Sequence, residues 1–219
     1  MYPTLDAATR SLPALFDSKA ATLELMDSRS IKVGRTFDSV PEQITGFELS
    51  GQAALLIEYH ANETEQLREL EQAGSKLLAD FDLETPAAFT TDAAEAAKAW
   101  AFRKGLYAQV AEARPSGTTA LLEDIAVPVG DLADTCGGLQ QLFDAYGYDD
   151  AVIFGHAKDG NIHFLITDRF EGDDNLNRYD GFNEDMVDLV LGAGGNLKAE
   201  HGTGRVMAPY VRRQYGDEL

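Results

Sequence analysis

Apolar and polar positions divide the chain into short strand-like runs separated by helical ones. Ala21-Thr22-Leu23-Glu24-Leu25-Met26 is the first clear strand, in a stretch punctuated by Pro3, Pro13 and Pro41. Gln52 to His60 (QAALLIEYH) is a continuous apolar run, the pattern of a central strand. Asn62-Glu63-Thr64-Glu65 supplies helix-capping chemistry, and Leu67, Leu70, Leu77 and Phe81 recur at helical spacing. Pro86 breaks the chain. Ala87 to Thr90 then predicts a short strand, and Asp92 with Glu95 opens an alanine-rich helix running to about Arg114-Pro115.

The order is clearer from Thr118 onward. Thr119 to Val127 alternates as a strand, and Asp131 caps a helix that places Leu132, Cys136, Leu139 and Phe143 on one face before Gly147. Ala151 to His156 and Asn161 to Thr167 form two strands around the turn Ala157-Lys158-Asp159-Gly160. Phe182, Met186, Leu189 and Val190 mark a further helix, and Asn196 to Glu200 follows Gly194-Gly195 as a last strand. The expected fold is α+β, a ferredoxin-like βαββαβ unit with an antiparallel sheet and helices on one face. The first half fits a decayed copy of that unit, although no sequence repeat supports it.

Charge and composition narrow the function. The chain has 219 residues and a formal charge of −19, which disfavours nucleic acid and anionic membranes as partners. An anionic substrate then needs a local cluster of positive charge. No apolar run approaches the roughly 18 residues of a membrane span. Cys136 is the only cysteine, so the chain forms no internal disulfide and no thiolate cluster. It fits a reduced, cytoplasmic setting, free or peripheral to the inner face of the membrane.

Three constellations carry candidate chemistry. In Gly155-His156-Ala157-Lys158-Asp159-Gly160-Asn161-Ile162-His163, two histidines stand on facing arms of a hairpin, close enough to share an ion. Asn161 and His163 share a strand face. On spacing alone, a surface turn with incidental histidines is the plainer reading, since two ligands do not make a site. In Gly195-Asn196-Leu197-Lys198-Ala199-Glu200-His201-Gly202-Thr203-Gly204, a carboxylate beside a histidine adds a third ligand and a titratable base. An ideal βαββαβ sheet puts that strand end at the rim opposite the hairpin tip, so the two groups meet only if the strand bends or the sheet is larger. The third is Trp100-Ala101-Phe102-Arg103-Lys104-Gly105, where Arg103 offers a fork for a carboxylate and equally fits a solvated helix position. A dinucleotide fingerprint, a P-loop and a G-x-S-x-G elbow are missing.

Taken in order, AWAFRKG, LLEDIAVPVGDL, VIFGHAKDGNIHF and GGNLKAEHGTGRVMAPY resemble the C-terminal domain of the FAD-linked oxidases, with LELMD and ALLIEYHA similar to earlier strands of that family. The family covers D-lactate, glycolate and D-2-hydroxyglutarate dehydrogenases, and the wording is most similar to large bacterial members fused to an iron-sulfur half. The resemblance implies that His156, His163 and Glu200 hold a divalent metal (zinc, manganese or iron). It implies His201 as general base, and Arg103 and Asn161 as substrate contacts. It also implies FAD bound mainly by another domain of the same chain, any iron-sulfur clusters elsewhere, and a small anionic 2-hydroxyacid as substrate.

Three positions depart from the family pattern. Lys104 replaces a glutamate, Leu122 stands where hydroxyglutarate-type members place a lysine, and Leu165 stands where they carry a substrate-binding asparagine. The expected protein is thus the substrate domain of a flavin-dependent D-2-hydroxyacid dehydrogenase, residues 1–219, part of a longer chain and inactive alone. The rival readings are a non-catalytic ferredoxin-like interaction module and a metal-dependent hydrolase or lyase.

Overall fold

A computed structural model describes residues 1–38, 40–202 and 204–217; Thr203, which falls within the last sequence motif above, lies outside the described residues, as do Ser39, Glu218 and Leu219. The elements are α1 (Leu5–Arg10), α2 (Leu12–Asp17), β1 (Thr22–Met26), α3 (Ser28–Gly34), β2 (Ala54–Glu58), α4 (Thr64–Leu78) and α5 (Ala93–Ala113). Then follow β3 (Thr119–Ala126), α6 (Leu132–Tyr146), β4 (Val152–His156), β5 (Asn161–Asp168) and α7 (Asp173–Gly192). The class is α+β: the five strands form one sheet in the order β2-β1-β4-β5-β3, and every pair is antiparallel.

The ferredoxin-like order survives in the second half, with one change. The predicted last strand, Asn196 to Glu200, contracts to a single bridge between Asn196 and Ala126 on the outer side of β3. Beyond it the chain leaves the sheet edge: Leu197 and Lys198 donate their N–H groups to the Gln214 and Asn196 side chains, then Ala199 donates to the Asp124 backbone carbonyl and Glu200 and His201 to the Asp124 side chain. Two further expectations are corrected. QAALLIEYH is an edge strand, not a central one; its side chains are apolar in both directions because both sheet faces are covered. Residues 87–90 form no ladder and instead line an apolar cavity of about 430 Å³ beside β2.

Helices cover both faces of the sheet, not one. Strand side chains alternate between faces, so one register feeds two cores. Leu23, Leu25, Ile153, Ile162, Phe164 and Ile166 join Leu139, Phe143, Phe182 and Met186 of α6 and α7. Met26, Val152, Phe154 and Leu165 join Ile31 of α3 and Phe102, Leu106 and Val110 of α5. The α3–α5 contact depends on Gly34, where a Cβ would overlap the Phe102 ring. Asp92 caps α5 by accepting from the N–H groups of Ala94 and Glu95 at 2.7 and 3.1 Å. That helix brings Arg103 over the second face of the sheet. Among the described residues, no helix is long and apolar enough to cross a membrane.

Candidate metal and substrate site

Strand register assembles the site on the face beneath α5. Glu24 of β1 pairs with His156 of β4, while His163 of β5 pairs with Phe154 on one side and Asp124 of β3 on the other. These residues share the parity of Met26, Val152, Leu165 and Leu122, so their side chains rise on that same face. The hairpin turn docks tightly against the end of β3: Gly160 adopts φ +68°, and a Cβ there would run into the Val127 carbonyl.

The segment after the Asn196 bridge completes the cluster. Asp124, fully buried, gathers it. Its Oδ2 accepts the backbone N–H groups of Glu200 and His201 at 2.6 and 2.7 Å, and its Oδ1 accepts from Asn161 Nδ2 at 2.8 Å and lies 3.1 Å from His163 Nδ1. Burial opposes charge on Asp124, but these donors outweigh it and hold the carboxyl well below the usual carboxylate range.

The predicted residues converge. Glu200 Oε1 lies 3.2 Å from His156 Nε2, 3.3 Å from His163 Nε2 and 3.4 Å from His201 Nε2. Four ligand atoms around a tetrahedral zinc, at bonds of about 2.1 Å, stand about 3.4 Å apart. The donor set and its spacing therefore fit a divalent ion, with His156, His163 and Glu200 in reach of one point. A second group within reach of one point, Asp124, His163 and His201, shares His163 with the first.

Each histidine has a carboxylate behind it. His156 Nδ1 is 2.7 Å from Glu24 Oε1, and His163 Nδ1 faces Asp124, which leaves both Nε2 atoms toward Glu200. The hydrogen bond with Glu24 raises the pKa of His156 despite partial burial.

Arg103 is only 7% exposed. Its Nη2 lies 2.9 Å from Glu24 Oε2, its guanidinium stands 5.0 Å over the Phe154 ring, and its Nε has no acceptor. Burial lowers its pKa, opposed by Glu24 and Glu200. Arg103, Lys104, Tyr107, Leu122, Phe154, His163 and His201 line a cleft of about 340 Å³. Cation, histidine pair and apolar wall thus meet in one opening.

Asn161 departs from expectation. It is buried, and both hydrogens of its amide are committed, to Asp124 and to the Ile125 carbonyl at 2.8 Å each. It holds the hairpin to β3 and has no donor left for a substrate. Glu24 and Asp124 stand in contact with the candidate residues, and reading the sequence missed both. The one signal for each was an acidic residue inside an apolar strand, which burial makes costly unless it is paired.

Known proteins extend the picture. The chain is 26% identical over its whole length to the glycolate oxidase subunit GlcD of Bacillus subtilis, of which it covers 44%. It is 27% identical over 98% of its length to a D-lactate dehydrogenase of Anaerostipes hadrus, covering 45% of that protein. It is also 26% identical over its whole length to the D-2-hydroxyglutarate dehydrogenase of Escherichia coli strain K12, covering 22%. The chain thus spans less than half the length of these relatives. The family model for the C-terminal domain of FAD linked oxidases matches residues 1–219, and the chain belongs to that family.

Proposed function

We propose that this chain is the substrate-binding domain of a flavin-dependent dehydrogenase that oxidises a D-2-hydroxyacid to the 2-oxoacid. The observation that carries the reading is a cleft lined by Arg103, His163 and His201 in which His163 also belongs to the His156, His163 and Glu200 group of ligand atoms. Family membership and relatives named for glycolate, D-lactate and D-2-hydroxyglutarate support it.

His156, His163 and Glu200 would hold the divalent ion, of which zinc, manganese and iron(II) all suit two imidazoles and a carboxylate. When bound, the ion lowers the pKa of the substrate hydroxyl. Arg103 holds the substrate carboxylate, supplying the local positive charge that an acidic protein must concentrate somewhere. His201 Nε2 takes the hydroxyl proton. FAD, which a partner domain would carry, would supply the acceptor for the hydride that leaves the α-carbon as the C–O bond becomes the carbonyl. Asp124 keeps His201 in place through its backbone, and Leu122, Phe154 and Tyr107 shield the substrate from water.

The experiment is anaerobic flavin bleaching in the native protein containing the flavin domain, with glycolate, D-lactate and D-2-hydroxyglutarate offered in turn. At least one should bleach the flavin, and His201→Ala should retain zinc while bleaching at least about a hundredfold more slowly. Bleaching unaffected by His201→Ala, or by removal of all divalent metal, would sink the mechanism.

A further inference from the structure

We infer that Glu24 is a positioning residue shared by the two halves of the site, orienting the proposed metal ligand His156 with one oxygen and the substrate-binding Arg103 with the other. The inference rests on the function proposed above and deepens it.

Glu24 is 3% exposed, on a strand whose neighbours Leu23, Leu25 and Met26 are all core residues. A carboxylate at such a place is costly unless it is paired on both oxygens. Both face a partner: Oε1 lies 2.7 Å from His156 Nδ1 in a hydrogen bond, and Oε2 lies 2.9 Å from Arg103 Nη2 as an ion pair off the line of a hydrogen bond.

The two contacts have different consequences. Toward His156, the carboxylate keeps the proton on Nδ1 and so leaves the Nε2 lone pair for an ion at the point shared with Glu200, whose Oε1 is 3.2 Å away. Toward Arg103, it is a counter-ion from the floor of the site, while Phe154 lies against the guanidinium plane. Arg103 lines the cleft, and its Nε has no acceptor. Glu24 reaches both partners because β1 lies next to β4 in the sheet, while α5 crosses above it. One side chain thereby sets the distance between the metal ligand and the cation that binds the substrate.

Glu24→Gln is the test, because an amide has one acceptor oxygen for two donors and must release one of them. Zinc titration of the metal-free native protein, with KM for its 2-hydroxyacid at saturating zinc, separates the outcomes. Zinc affinity should fall about 10- to 100-fold. If the amide oxygen stays with His156 instead, KM should rise by a similar factor with zinc affinity kept. Glu24→Asp, which retains both oxygens, should recover part of either loss. Unchanged zinc affinity and unchanged KM would overturn the inference. Should the variants fail to fold, ¹⁵N chemical shifts of His156 in the metal-free wild type decide: a lone proton on Nε2 overturns it, a proton on Nδ1 upholds it. Wild-type protein that binds no zinc at all would count against the proposed function itself, while the His156 tautomer would still judge Glu24.

Discussion

Asp124 and Glu200, 76 positions apart, are joined by a hydrogen bond of 2.6 Å from the Glu200 backbone N–H to Asp124 Oδ2. The same oxygen takes the His201 N–H, so this carboxylate does the work that a final β-strand would otherwise do. In Asp124→Asn, an amide nitrogen at the Oδ2 position sets donor against donor. The expected cost is about 3 kcal/mol, with weakened zinc binding, read by urea unfolding and zinc titration. A loss below about 1 kcal/mol would show that the segment is held by something else.

Burial separates the two hairpin histidines. His163 lies within β5 with 4% of its side chain exposed, whereas the His156 side chain is 39% exposed at the end of β4. Both His156→Ala and His163→Ala should abolish one-to-one zinc binding. Only the second should also cost stability, about 1–3 kcal/mol, since it empties a buried position and leaves Asn161 as the one donor to Asp124 Oδ1. Equal melting temperatures for the two variants would contradict this.

Protons compete with metal at His156. Its pKa is raised above the ordinary 6.5 by the hydrogen bond to Glu24. Zinc affinity should therefore begin to decline on acidification at a pH above 6.5, and recover as pH rises. Calorimetric titrations at several pH values on the wild type and Glu24→Gln check it, the variant's decline being displaced to lower pH; superimposable pH profiles would show that Glu24 does not act on His156 in solution.

A second acid titrates on the opposite face of the sheet. Glu123 is buried near Tyr179 and Lys198, and burial pushes its carboxyl up from 4.5 to about 7. Between those values the folded state keeps a proton that the unfolded chain releases, so this group's contribution to stability declines as pH rises through the window. Glu123→Gln should add up to about 3 kcal/mol at pH 8 and little near pH 4.5. Urea unfolding at both pH values decides; the same change at each would exclude titration as the cause.

Leu122 bears on substrate choice. It stands two residues before Asp124 on the same face of β3 and contributes apolar wall to the cleft. Leu122→Lys should raise the preference for D-2-hydroxyglutarate over D-lactate by about tenfold in kcat/KM, the worth of one partly exposed ion pair to a second carboxylate. An unaltered ratio would place the substrate's side chain elsewhere.

His156, His163, Glu200, His201 and Arg103 stand out by residue type as candidates, and the family resemblance gave each its expected role. Glu24 and Asp124 do not stand out, because their roles depend on strand register, which pairs Glu24 with His156 and Asp124 with His163 across the sheet. Periodicity reports that a residue is in a strand, not which strand lies beside it. For the same reason QAALLIEYH looked central: an edge strand covered on both faces has the same pattern as an inner one. The last strand was misread because nothing local distinguishes a backbone N–H that pairs with a strand from one captured by Asp124.

The cluster draws on positions 24, 103, 124, 156, 163 and 200–201, carried by β1, α5, β3, β4, β5 and the segment beyond the Asn196 bridge. No stretch of this polypeptide assembles it alone, so an ion that binds there binds only the completed fold. Occupancy is then a clamp on the whole sheet: at a free concentration one hundred times its Kd, the ion adds about 2.7 kcal/mol against unfolding. Chelation should loosen β1 and β3 together, although they are separated in the sheet by β4 and β5.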